Sequence, residues 1–306
     1  MQISTSYLFD RASQQMGKLQ TDLAKSHAQI SAQKQVLNPS DAPDQSAAIL
    51  RLKSVIGRQD SYSKSLDTVN TRLSAEDASL KSANELIVRV KELAIQASND
   101  TLGTTDRQAI GTELKGLRGQ LLSLANTQDS SGNYLFAGSR VSQSAFAADA
   151  SGQTVYQGDQ TRMNVMVGEN QSIPINRTGS DAFVRVVRTV DGVSAGVSFF
   201  QSLDDLTEGI IKSDHTAMQR GLGEVDSLQQ GISLAQASIG TDMKVVDQQA
   251  SIIRDTILSL KTTLSNIEDL DYATAFTQMN KQMLALEAAQ SSFAKISQLS
   301  LFNYIK

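Results

Sequence analysis

The chain of 306 residues has no cysteine and no tryptophan, only 3 prolines and 2 histidines, and 5% aromatic residues. Without cysteine there is no disulfide, thiol nucleophile or thiolate metal site, although the compartment stays open because exported proteins also do without them. Scarce aromatics argue against a large aromatic ligand pocket and for aliphatic helix packing. A net charge of −4 with no basic run leaves no electrostatic footprint for nucleic acid or an anionic membrane, so neither is expected as a partner. No run of about 18 apolar residues occurs, so no segment is expected to span a bilayer. The opening MQISTSYLFDRASQQ has neither the basic start nor the apolar core of a signal peptide. What is present is 40% hydrophobic content, enough for one large core or two or three smaller ones.

That content is arranged in helical stripes. Phe9, Ala12, Met16, Leu19, Leu23, Ile30 and Leu37 follow a three-and-four spacing, with Ser26 and Gln33 as polar exceptions. They predict a first helix of about 28 residues, roughly 42 Å long. A longer stripe runs from Leu52 through Val55, Tyr62, Leu66, Val69, Leu73, Leu80, Ala83, Ile87, Val90 and Ala94 to Ala97, broken by Gln59 and Glu76. A third carries Ile110, Leu114, Leu117, Leu121 and Leu124. From Gly132 to Phe200 the period shortens towards two, as in Met163, Val165 and Val167, with Gly-Asp and Asp-Gly punctuation, which predicts a small β-rich insert. Helical spacing returns near Asp204, is clear from Leu228 to Ile267, and ends in a last helix carrying Tyr272, Phe276, Met279, Met283, Leu286, Ala289, Phe293 and Ile296. The fold class is therefore mainly α with a β-rich insert.

Two of the prolines lie in VLNPSDAPDQSAA (36–48). Asn38 precedes a proline, which predicts that the first helix stops near Leu37. Asp41 is placed to cap a new helix by accepting from the Asp44 amide, with Pro43 in the first turn. The stretch is expected to be a stiff joint between two helices.

LNPSDAPDQSAA (37–48), GNYLFAGSR (132–140), VYQGD (155–159) and ISQLSLFNYI (296–305), in this order and at these distances from the ends, resemble the bacterial flagellin superfamily over essentially the whole chain. The resemblance implies that the two chain ends pair as a long antiparallel coiled coil lining an inner tube, joined through a short spoke to a helical domain and an outward β domain. It places residues 1–37 and 271–306 in the inner layer and 38–43 in the spoke. Residues 44–135 and 201–270 then form the helical bundle and 136–200 the outer domain. Assembly residues would be Phe9, Met16, Leu19, Leu23, Ile30, Phe276, Met283, Leu286, Phe293, Ile296, Leu299, Leu301, Phe302 and Ile305. The joint would be Asn38, Pro39, Ser40, Asp41 and Pro43. Tyr134, Leu135 and Phe136 are either core beneath the insert or a subunit contact.

The resemblance further implies a structural, non-enzymatic subunit at the junction of flagellar hook and filament, exported by a type III route and located outside the cell. Its partners would be other copies of itself, hook-associated protein 1 on the hook side, flagellin on the filament side, and an export chaperone on the C-terminal region. No cofactor is implied. Filament flagellin is the alternative, against which the N-terminus lacks a Leu-Ser-Ser-Gly type stretch. A cytoplasmic coiled-coil scaffold is a weaker one, disfavoured by the β insert.

Other chemistry is thinly represented. His27 and His215 are far apart and each in polar company, as on a solvated surface. IGTELKGLRG lacks the Gly-Lys-Ser/Thr of a phosphate loop. The acids of DLDYATAF and SLDDLTEG lack calcium-loop spacing and read as helix starts or solvated faces. Met279 and Met283 read as helix packing. No nucleophile–base pair, metal set or phosphate cradle is evident.

Overall fold

The computed structural model describes residues 2–190 and 193–302; the side chains of residues 2–6, Leu8, 189, 190, 193 and 296–302 lie outside that description. Seven helices and six short strands follow one another in this span. The helices are α1 (Gln2–Ala32), α2 (Pro43–Ala97), α3 (Thr104–Ala125), α4 (Gly179–Ala182), α5 (Phe199–Ile211), α6 (His215–Glu268) and α7 (Tyr272–Phe302). The strands are β1 (Phe146–Ala148), β2 (Thr154–Tyr156), β3 (Asn164–Met166), β4 (Ser172–Pro174), β5 (Val186–Val190) and β6 (Val193–Val197). The chain is thus mainly α with a small strand-bearing insert. It divides into a terminal unit, Met1–Gln59 with Asp255–Lys306, and a central unit, Asp60–Arg254.

In the central unit the helical stripes are dry. Leu66, Val69, Leu73, Leu80, Ala83 and Ile87 of α2, Leu114 and Leu121 of α3, Leu203, Leu206 and Ile210 of α5, and Leu228, Ile232 and Ile239 of α6 are all buried. Within the insert, Phe136, Phe146, Phe183, Phe199 and Phe200 form one aromatic cluster of mostly edge-to-face pairs, with centroids 5.1–5.5 Å apart between neighbours such as Phe199–Phe200 and Phe136–Phe183. The Arg118 guanidinium sits over Phe200 and forks onto Asp204 at 2.9 Å, tying α3 to α5. Arg107, itself buried, donates to the carbonyls of Ala97 at 2.7 Å and Asn99 at 3.1 Å. It thereby satisfies the open C-terminus of α2 with a cation.

The strands pair as three antiparallel hairpins, β1–β2, β3–β4 and β5–β6, with Phe146 opposite Tyr156, Val165 opposite Ile173 and Arg188 opposite Ala195. Two loops share one design. In DSSGN (129–133) and DASGQ (149–153) the aspartate carboxylate accepts from the amides two and four residues on, and a glycine at φ 80 or 81 completes the turn.

The first helix ends earlier than its stripe suggests. It stops at Ala32, and Gln33 takes a left-handed φ of 59°. The Gln33 amide donates to Ile30 and the Lys34 amide to Gln29, the double bond pattern of a Schellman stop. Pro39 acts five or more residues too late to be the cause. The same arrangement closes α5, with Ser213 at φ 60° and amides of Ser213 and Asp214 donating to Ile210 and Gly209.

Candidate assembly site

Within the terminal unit, α1 and α7 run antiparallel. Phe9 meets Phe293 with ring centroids 4.6 Å apart, Ser26 Oγ bonds Gln282 Oε1 at 2.8 Å, and the Tyr272 hydroxyl donates to the Ile30 carbonyl at 3.2 Å. The polar exception at Ser26 is therefore paired across the seam. Met16, Leu19, Leu23 and Ile30 of α1, with Leu286 and Phe293 of α7, are half-buried. No described side chain of α1 or α7 is buried outright. Phe276 and Met283 turn outward, 54% and 51% exposed, and Tyr272, Leu284, Tyr7 and Phe9 add further open apolar surface. A groove of about 490 Å³ along the pair is lined by Leu23, Met283, Leu284, Leu286, Asn280, Glu287 and Gln290. Ile296, Leu299, Leu301 and Phe302 have described backbone in α7 but side chains outside the described residues, and Ile305 lies outside them altogether.

The joint differs in detail from the expected cap. Pro43 is the first residue of α2, but the Asp41 carboxylate turns back, not forward. It accepts from the Asn38 amide at 3.1 Å and from Lys25 Nζ of α1 at 2.9 Å; Ala42 supplies the first helical acceptor, to Ser46. The amide and lysine bonds are both charge-assisted, and together they occupy the two carboxylate oxygens. The Lys25 bond, followed by the Asn38 amide, holds Asp41 below the usual carboxylate range. Asn38, Pro39 and Ser40 are exposed.

In the central unit the two motifs GNYLFAGSR and VYQGD are one construction. The Tyr156 hydroxyl lies 3.0 Å from the Phe136 carbonyl and 2.7 Å from that of Asp159, and accepts from the Gly179 amide at 3.3 Å. Burial pushes this hydroxyl up to about 12. Asp159 accepts from the Ser139 hydroxyl and amide and from the Thr161 amide, bonds that bring it down to about 2, with the Ser139 hydroxyl first. Gly138, at φ +70°, lies so close to Asp159 that any side chain there would strike the aspartate. Leu135 and Phe136 are wholly buried in this knot; Tyr134 is half-buried and is the member with surface to offer.

Glu76, the interruption in the α2 stripe, is fully buried. It lies 3.6 Å from Arg72 Nε and accepts from the Arg177 amide at 3.4 Å. Burial pushes it up to about 8, against the opposing pull of Arg72. Arg72 also bonds Asp129 and the Leu135 carbonyl, and Arg177 pairs with Asp242 and Ser238, so a polar network links α2, α6 and the insert. Both histidines are exposed, His215 standing 3.3 Å from Asp100. Of the acidic pairs, Asp271 caps α7 by accepting from Ala273 and Thr274, whereas Asp204 and Asp205 pair with Arg118 and Arg188. Among the described residues no helix is long and apolar enough to cross a membrane and no group of three metal-ligating side chains occurs.

Chain ends that pair with each other and leave their apolar surface unfinished, in a chain that also carries a separately cored unit, define a helical assembly protein. The chain belongs to the flagellin family. The bacterial flagellin N-terminal helical region matches residues 3–141 and the bacterial flagellin C-terminal helical region matches residues 222–305. Flagellar hook-associated protein 3 of Salmonella typhimurium is 25% identical over 316 residues, covering 99% of both chains. That of Escherichia coli is 25% identical over 320 residues, covering 100% of both. Flagellins match more weakly. The crystal structure of flagellar hook-associated protein 3 from Legionella pneumophila shares the fold, with a TM-score of 0.65 at 18% identity, covering 72% of this chain and 98% of that one.

Proposed function

We propose that the protein is a structural, non-enzymatic subunit of the bacterial flagellum that joins hook to filament and works outside the cell. The observation that carries this is the α1–α7 pair: both ends of a chain matched end to end by hook-associated protein 3 form a layer whose Phe276, Met283 and Leu284 stay open to another subunit. Residues 1–37 and 271–306 serve as the inner layer, 38–43 as the spoke, 44–135 and 201–270 as the helical domain and 136–200 as the outer domain. Neighbours are further copies of the chain, hook-associated protein 1 and flagellin, and the C-terminal region is held by an export chaperone before assembly.

The test is deletion of residues 296–306. It removes Ile296, Leu299, Leu301, Phe302 and Ile305, each worth about 1.5–3 kcal/mol when fully buried. Cells expressing the truncated protein should fail to join filaments to hooks, while the purified chain keeps the thermal midpoint of its central unit. Filaments of normal length and strength would overturn the reading. Labelling of isolated flagella should place the intact protein at the hook tip; labelling along the filament would favour the flagellin alternative.

A further inference from the structure

The terminal unit breaks its helices twice, once between α1 and α2 (33–42) and once between α6 and α7 (269–271). Were the two breaks independent, the α1–α7 pair would swing on two loops. They are stitched together instead. The Gln35 amide donates to the Glu268 carbonyl at 2.9 Å and the Leu270 amide to the Gln33 carbonyl at 3.2 Å, an antiparallel bridge of Lys34 with Asp269. Two main-chain bonds among the exposed residues 33–35 make a weak hinge, since short two-stranded pairings are marginal in water.

Glu268 supplies what the bridge lacks. It is 7% exposed, and its Oε1 accepts from Lys34 Nζ at 2.7 Å and from Lys53 Nζ at 2.9 Å. One carboxylate thus joins three segments: the last turn of α6, the stop after α1 and the third turn of α2. The two bonds hold Glu268 below its ordinary range, Lys34 first, and Lys34 is raised in return. We infer that Glu268 is a positioning residue, the clasp that sets the α1–α7 pair at one angle to the stems formed by the start of α2 and the end of α6.

The arrangement makes an asymmetric demand on mutation. Each lysine is 46% exposed, so losing one leaves Glu268 paired with the other and costs little. Losing the carboxylate takes the shared acceptor from both lysines at once and leaves two like charges side by side, offset only in part by Asp269 near Lys34. Because the chain has no cysteine, Lys18→Cys on α1 and Arg51→Cys on α2, both exposed, give clean spin-label positions. Pulsed electron resonance on the full chain should show a narrow distance distribution that broadens in Glu268→Gln and Glu268→Ala, but hardly in Lys34→Ala or Lys53→Ala. Amides of Gln35 and Leu270 should exchange at least about tenfold faster in the Glu268 variants, with those of the central unit unchanged. The charge-swapped Lys34→Glu/Lys53→Glu/Glu268→Lys variant should restore the narrow distribution, which mere packing at Glu268 would not. An unchanged distribution in Glu268→Ala, or failure of the swap to restore it, would overturn the inference.

Discussion

The terminal and central units use the same vocabulary, long helices with apolar residues every three or four positions, yet their interiors differ. In the central unit α2, α3, α5, α6 and the phenylalanine cluster cover one another, and residues such as Val69, Leu80, Phe136 and Ile232 are at 0% exposure. In the terminal unit the only buried hydrophobic residues, among those described, are Ile49 and Ile56 on α2, and α1 and α7 have just each other. A heptad stripe states that a helix needs a partner; it does not state whether that partner belongs to the same chain. One helix can shade only one side of another, so a two-helix layer stays half-wet until a second molecule arrives.

The largest test of this contrast is a pair of identical deletions. Phe136→Ala empties a fully enclosed site and should cost about 3–5 kcal/mol in the main thermal transition. Phe276→Ala removes the same atoms from a side chain 54% exposed and should stay within about 0.5 kcal/mol in the isolated protein. Melting followed by circular dichroism measures both. Comparable shifts would mean that the α1–α7 pair is already part of one common core.

The contrast also marks what was legible in the sequence. Within the central unit the stripes of α2, α3 and α6 read correctly from spacing, because from Leu66 to Ala97, Ile110 to Leu121 and Leu228 to Ile253 each helix buries most of one face. Which side chains of α1 and α7 stay uncovered was not legible, since Phe276 and Met283 share their spacing with Met279 and Leu286 and only the three-dimensional seam separates them. The stop at Ala32 was hidden for another reason: Gln33 carries no glycine signal, and its partners at 268–270 lie more than two hundred residues away. Likewise Asp41 looked like a forward cap until Lys25 was brought beside it. Glu76 showed only as a gap in a stripe; its meaning depends on Arg177, which the insert delivers.

That carboxyl gives the next test. With a folded-state value near 8 against an ordinary 4.5, Glu76 keeps its proton in the folded protein where the unfolded chain releases it. Its effect on stability is therefore least adverse below about pH 4.5, and the central unit should lose stability as pH rises from there towards 8, by at most about 5 kcal/mol for this group. Glu76→Gln mimics the protonated side chain and should flatten the slope between pH 5 and 8.5 in denaturant titrations. An unchanged slope would show that Arg72 and Arg177 already hold Glu76 as a carboxylate.

The smallest effect is the sharpest comparison, because the two units contain the same device. Gln33 and Ser213 both close a helix in the left-handed region, at φ 59° and 60°, and both are exposed. A side chain there crowds its own backbone by roughly 1 kcal/mol, which glycine relieves, although glycine also gives the unfolded chain more freedom to lose. The net gain from Ser213→Gly should be a few tenths to about 1 kcal/mol, seen as a rise of roughly 1–4 °C in the main transition, since α5 belongs to the cored unit. Gln33→Gly relieves the same crowding where nothing fully buried depends on it. It should leave the main transition in place and act locally, slowing exchange at the Lys34 and Gln35 amides. If instead Gln33→Gly raises the melting temperature as much as Ser213→Gly does, the two units unfold as one and the half-wet layer contributes to the stability of the monomer.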